Sequence, residues 1–134
     1  MGPTSPTASA ESARPELAAA LRQSLDRTLL GTDLQGLGRK YEGKVRDNYS
    51  TDDGRRFIVV TDRISAFDRV IGTLPCKGQL LTAMAAFWFD KTRHLAPNHL
   101  LSLPDPCVME CVECRPVPVE MVVRAYVTGV TSTS

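Results

Sequence analysis

The sequence predicts an α+β fold in which helices pack against hairpins, and three observations carry that prediction. Two strand-like stretches, Tyr41 to Ser50 and Arg55 to Thr61, flank an Asp53-Gly54 step that favours a tight turn. Leu80, Leu81, Met84, Phe87, Trp88 and Leu95 recur at helical spacing further on. Strands and helices do not alternate as a parallel βαβ sheet would require.

Residues 1–14 are rich in Pro, Ser, Thr and Ala and are expected to form a disordered tail. They lack the basic leader and apolar stretch of a secretory signal. A helical extension is expected over residues 15–35, because Leu17, Leu21, Leu25 and Leu29 recur every fourth position. Pro15 suits its first turn and Gly31 its stop. In the hairpin that follows, Phe57-Ile58-Val59-Val60 reads as a strand buried on both faces. Residues 62–76 read as a loop with a short strand around Arg69 to Leu74. The apolar stripe then makes the helix opening at Lys77 the best-packed element expected. Pro97, Pro104 and Pro106 break up the chain after it. Two late strands are expected, Val108 to Val112 and Val119 to Val127, separated by Pro116 and Pro118.

Composition narrows the function. A chain of 134 residues fits one domain. Sixteen Lys and Arg nearly balance fifteen Asp and Glu, so no global field favours nucleic acid or an acidic membrane. No apolar run approaches the ~20 residues of a bilayer span. Four cysteines, unevenly placed, do not make a stapled secreted scaffold, and a reducing cytoplasm is the expected location.

Four segments could carry chemistry. In Glu42-Gly43-Lys44-Val45-Arg46-Asp47, a glycine permits close backbone approach, and Lys44 and Arg46 sit two residues apart on one strand face. A polyphosphate lying there would meet both cations; a solvated basic face is the plainer reading. Thr61-Asp62-Arg63-Ile64-Ser65-Ala66-Phe67-Asp68 follows the most apolar strand, as a binding loop or as a hydrogen-bonded turn with Asp and Ser caps. Pro75-Cys76-Lys77-Gly78 opens the long helix, either as an anion site at its N-terminus or as a junction hinged at Gly78. Arg124 stands in the apolar run Val122 to Val127, where it either pairs with a buried carboxylate or reaches a ligand. His94 and His99 have no nucleophile near them in the sequence and read as capping or surface residues.

In order and spacing, GKVRDNY, TDRISAFD, LLTAMAAFWFDKT, PNHLLS and PVPVEMVVRAYVTG resemble the SAICAR synthetase family, from about residue 38 onward. The resemblance implies a twisted antiparallel sheet with packed helices, its first subdomain similar to the small lobe of protein kinases. It also implies a purine-biosynthesis ligase that joins carboxyaminoimidazole ribotide to L-aspartate using ATP and Mg²⁺. By that resemblance Gly43, Lys44 and Arg46 contact the ATP phosphates. Lys77, Ser65 and Asp68 lie where nucleotide and substrate meet, and Arg124 contacts the ribotide. No catalytic residue is assigned. Residues 36–134 are expected to be the N-terminal ATP-binding part of such a domain. Its Mg²⁺ ligands are expected beyond residue 134, and this part is expected to be inactive alone.

The sequence departs from the family pattern at Val130, where many relatives carry Ser after the Thr-Gly pair; Thr131 is the nearest substitute. Two other classes compete with this reading. One is a non-catalytic nucleotide-binding domain complete as it stands. The other is a zinc module on Cys76, Cys107, Cys111 and Cys114, although C-x3-C-x2-C with no downstream pair is not a finger or ribbon spacing.

Overall fold

The computed structural model describes residues 15, 18–119, 121–123 and 125–126. Its strands are β1 (Arg39–Glu42), β2 (Arg46–Ser50), β3 (Arg55–Val60), β4 (Arg63–Ala66), β5 (Arg69–Thr73), β6 (Leu100–Asp105) and β7 (Val108–Val112). One long helix, Lys77–Thr92, joins β5 to β6. Five strands form an antiparallel sheet in the order β1-β2-β3-β7-β6, and β4 and β5 form a separate hairpin. This is the α+β architecture the hairpin and helix patterns predict.

The Asp53-Gly54 step does what its chemistry suggests. Gly54 adopts φ 79°, and Arg55 donates its N–H to the Thr51 hydroxyl at 3.2 Å, so β2 returns as β3. The expected strand from Tyr41 to Ser50 is instead two strands. The Gly43 N–H donates to the Arg46 carbonyl at 2.7 Å and turns the chain between β1 and β2. Lys44 therefore sits in a turn and Arg46 begins a strand, so the two cations do not share one strand face. In β3 only Val59 and Val60 are buried, whereas Phe57 and Ile58 are half-buried.

Residues 62–76 contain a full hairpin, in which β5 is the short strand expected around Arg69 to Leu74 and β4 stands where only loop was expected. Its turn is Phe67-Asp68, both at positive φ (47° and 68°), the type I′ geometry that matches strand twist. Without an Asn-Gly or Asp-Gly pair, the sequence carries no signal for it. Strand β6 was hidden by Pro104. It lies at the sheet edge, where a missing N–H costs no ladder bond, and its register against β7 is irregular. Strand β7 matches its expected span. The described part of the expected Val119 to Val127 strand is not strand. The Val119 N–H turns locally to the Val117 carbonyl at 2.7 Å, and Met121 and Val123 are exposed.

The long helix inverts the packing its apolar stripe suggests. Gly78, Thr82, Ala85 and Phe89 follow one helical face, and Gly78 and Thr82 are its buried residues. Leu80, Met84, Phe87 and Trp88 are exposed, Trp88 at 58%. The small residues win the sheet-facing side because the helix start lies almost against β3: a Cβ on Gly78 would collide with the Val60 carbonyl.

The N-terminal helix is also shorter than expected. Residues 18–24 are helical, and a turn at 25–26 ends them before Gly31. From Leu29 onward the backbone is claimed by side chains of the sheet and its β3–β4 junction. Leu29 donates its N–H to the Asp62 carboxylate at 2.9 Å, and the Asp62 N–H returns a 2.9 Å bond to the Leu29 carbonyl. Thr32 donates its N–H (2.7 Å) and hydroxyl (3.0 Å) to Asp47, and Leu34 donates its N–H to the Tyr49 hydroxyl at 3.2 Å. Residues 29–34 are thus a strap bound to the sheet.

The strap closes over a buried ion pair. Arg63 donates to Asp47 at 2.8 Å, and both side chains are almost wholly buried. Burial alone would push the Asp47 carboxyl upward. Hydrogen bonds from Arg63 and from the Thr32 amide and hydroxyl, with the charge of Arg63, outweigh it and hold Asp47 below its ordinary value.

Two outcomes follow from this packing. Gly78→Ala should lower the urea midpoint by an amount worth about 1–3 kcal/mol, because neither the Val60 backbone nor the helix start can yield freely. Asp47→Asn should cost about 3–5 kcal/mol at neutral pH by leaving Arg63 buried and unpaired. Asp47 has a lower pKa folded than unfolded. Its contribution is therefore present above about pH 4 and is lost as pH falls through the folded value. Acid titration of stability should show this limb in the parent chain and a flatter one in Asp47→Asn.

Candidate functional site

The turn between β1 and β2 holds the first candidate group. Gly43 suits the close approach there, since a Cβ would lie 3.1 Å from the Arg46 carbonyl, a tight contact. Lys44 projects from the turn, exposed, and forms an ion pair with Asp68. Arg46 is exposed at the start of β2. Gly43, Lys44 and Arg46 together line an open hollow of about 330 Å³ with Tyr41, Val45 and Asn48.

The second hairpin reaches back to this turn. Asp68, at its tip, is the partner of Lys44, so two segments 24 residues apart in sequence meet at one point. Ser65 lies in β4 opposite Val70 and is exposed. Lys77, the first residue of the long helix, donates to the Thr61 carbonyl at 3.2 Å. The Thr61 N–H in turn donates to the Val45 carbonyl at 3.2 Å, which ties the Lys77 anchor to the β1–β2 turn. Gly43, Lys44, Arg46, Lys77 and Asp68 therefore gather around one end of the sheet, with Ser65 on the hairpin beside them. Arg124 lies outside the described residues, as do Val130 and Thr131.

Arg46 also borders a second space, a cleft of about 320 Å³ between sheet and helix. Ile58, Val60 and Met109 line its sheet side and Leu81, Thr82 and Phe89 its helix side. The Thr82 hydroxyl is buried with no hydrogen-bond partner among the described residues. His99, read from sequence as a surface or capping residue, is half-buried at the rim and packs edge-on against Phe89 with ring centroids 5.3 Å apart.

The helix N-terminus is already occupied from within the chain. The Gly78 N–H donates to the Asp62 carboxylate at 2.9 Å in a buried contact, while the other Asp62 oxygen holds Leu29. Cys76, at the cap position, has φ 62° and makes no side-chain cap bond. Asp62 supplies the negative charge that the helix dipole favours, and Gly78 is a packing position where a hinge had been the alternative. Asp62 and Arg63 are thus scaffold, a distinction that the reading of TDRISAFD as one segment did not draw. The signal that could have found them is charge pairing: an Asp and an Arg next to a fully apolar strand end seldom go unpartnered.

The cysteines do not assemble a metal centre. Among the described residues no three His, Cys, Asp or Glu side chains converge on a common point. Burial first, then the charges of Cys114 and Glu110, push the Cys111 thiol up to about 11, so it is a protonated, unreactive thiol near neutral pH. Burial and the charges of Asp105, Asp62 and Cys76 raise Cys107 also. No helix among the described residues is long and apolar enough to cross a membrane.

A family description for SAICAR synthetase matches residues 39–134. A putative phosphoribosylaminoimidazole-succinocarboxamide synthase 2 of Mesorhizobium japonicum is 48% identical over 108 residues, covering 81% of this chain and 34% of the relative. The phosphoribosylaminoimidazole-succinocarboxamide synthase of Legionella pneumophila (strain Lens) is 50% identical over 97 residues, covering 72% and 31%. A solved structure named SAICAR synthase superposes with a TM-score of 0.68 at 31% identity, over 75% of this chain and 42% of that one. A SAICAR synthase of Saccharomyces cerevisiae, complexed with SAICAR, superposes with a TM-score of 0.57 at 30% identity, over 63% and 36%. The chain spans about a third of the length of these curated relatives. A matched region running from the first strand of the sheet onward, with the same fold in solved relatives, establishes that the chain belongs to the SAICAR synthetase family.

Proposed function

We propose that this chain is the nucleotide-binding part of a ligase that uses ATP to join carboxyaminoimidazole ribotide to L-aspartate, giving SAICAR, ADP and phosphate. The observation that carries the reading is the β1–β2 turn, where Gly43, Lys44 and Arg46 border one open hollow. Phosphoryl transfer concentrates negative charge, and its catalysis rests on positioning and fixed cations. Lys44 is exposed, its partner Asp68 is exposed too, and a pair in that setting contributes little to stability. A phosphate can replace Asp68 as the partner of Lys44 at small cost, with a stronger charge-assisted bond in return.

Arg46 would meet the same phosphates from the strand, and Lys77 lies one bonded step away through Thr61. Asp68, once released, and Ser65 sit on the hairpin beside the turn, where the resemblance puts the junction of nucleotide and substrate. Arg124 is assigned to the ribotide by resemblance alone. Mg²⁺ would neutralise phosphate charge in such a reaction. Among the described residues no acidic cluster is suited to hold it, and no residue here is assigned to the metal. A cytoplasmic location goes with this reading.

Two experiments test the proposal. Calorimetric titration of Lys44→Ala should show ATP affinity about tenfold or more below the parent, as loss of a charge-assisted bond implies. Adenosine affinity and the unfolding midpoint should not change; equal ATP binding by parent and variant would take Lys44 out of the site. In a product assay with ATP, Mg²⁺, ribotide and aspartate, residues 1–134 alone should form no SAICAR. Adding the remaining two thirds of the Legionella relative should give product, and robust turnover by residues 1–134 alone would refute the division of labour proposed.

A further inference from the structure

Arg63 makes four hydrogen bonds, and three of them hold main-chain carbonyls of two separate segments. Its Nε donates to the Lys44 carbonyl at 2.9 Å and one Nη to the Gly43 carbonyl at 2.8 Å. The same Nη donates to Asp47 at 2.8 Å, and the other donates to the Leu30 carbonyl of the strap at 2.5 Å. The side chain is 7% exposed and the Asp47 side chain 0%, so solvent has little access to this arrangement. Nothing in the family resemblance gives Arg63 a role.

We infer that Arg63 is a positioning residue for the phosphate turn: its guanidinium draws the Gly43 and Lys44 carbonyls inward, leaving the outer side of the turn to N–H groups and the Lys44 ammonium. The inference rests on the reading of Lys44 as a phosphate contact. Its physical basis is the direction of the peptide dipoles. A carbonyl oxygen facing a phosphate repels it, whereas an amide N–H attracts it, and a rotation of one peptide plane in a turn exchanges the two. The Lys44 and Val45 N–H groups have no backbone partner among the described residues, which leaves them available on the outer side. Arg63 holds the planes by bonding both carbonyls, while Asp47 fixes the guanidinium and neutralises it. Only a planar fork can do this, since one ammonium cannot span two carbonyls and a carboxylate at these directions. The strap becomes part of the same device, because Leu30 supplies the remaining acceptor.

The test compares the parent chain with Arg63→Lys and Lys44→Ala by calorimetric titration with ATP and with adenosine. Arg63→Lys keeps the buried charge beside Asp47 and removes the fork. The expected result is ATP affinity weakened on the order of tenfold with adenosine affinity unchanged, together with faster amide exchange at residues 43–45 while β3 stays protected. Equal losses for ATP and adenosine would mark Arg63 as merely structural and overturn the inference. So would parent-like ATP affinity in a folded Arg63→Lys chain, with Lys44→Ala still impaired. ATP affinity unmoved by Lys44→Ala would overturn the phosphate reading itself, and this inference with it. If circular dichroism shows Arg63→Lys unfolded, the parent chain decides. Its Arg63 Nε–H resonance should move on titration with ATP and stay fixed with adenosine, and a resonance stationary in both overturns the role.

Discussion

Two buried carboxylates set the architecture of this chain. Asp47 and Asp62 are nearly inaccessible to solvent, and each satisfies its oxygens by capturing groups from distant segments. Asp47 takes Arg63 and Thr32, and Asp62 takes Leu29 and the Gly78 amide of the long helix. A buried carboxylate without such donors would cost several kcal/mol, so these bonds favour the strap, the sheet and the helix start in place together. The apolar core itself is small, limited to Tyr49, Val59, Val60, Cys107, Met109 and Cys111 among the described residues. Polar satisfaction therefore carries an unusual share of the specification here, and burial of the ion pair fixes which segments must meet.

Sequence pattern revealed the elements governed by local rules. The Asp53-Gly54 turn, the strand Val108 to Val112 and the helix beginning at Lys77 each follow from a short-range signal, and each is present. What stayed hidden depended on partners far along the chain. The N-terminal helix has a sound leucine repeat, but its continuation is worth less than the bonds that Asp62 and Asp47 offer the backbone. The stripe of large apolar residues gave the wrong face of the long helix, because close approach at Gly78 admits only small side chains next to β3. Periodicity measures how apolar a face is, not how near a neighbour lies.

The candidate site was legible in the same uneven way. Gly43, Lys44 and Arg46 stood out as a glycine beside cations, and the fold does put them around one hollow. That Asp68 belongs to the same neighbourhood could not be seen, since it depends on a hairpin turn built from Phe67 and Asp68 without glycine. Arg63 was visible only as one member of TDRISAFD. Its importance comes from the number of carbonyls it serves, a property of three-dimensional convergence that no residue type announces.

The contact between Gly78 and Val60 also bears on motion. The helix of 16 residues is pinned at its first turn by that contact and by Asp62, whereas toward its far end the Phe89 carbonyl accepts an exposed 3.3 Å bond from Asn98 and the Phe89 ring packs on His99. With a rise of about 1.5 Å per residue it is a rod of roughly 24 Å held most firmly at its start. A tilt of about 10° about that start would carry Thr92 roughly 4 Å while Gly78 stays in place. Such a tilt would change the width of the cleft between helix and sheet most at Phe89 and least at Thr82. The close contact that fixes which residues face β3 thus also sets the point about which any tilt of the helix would turn.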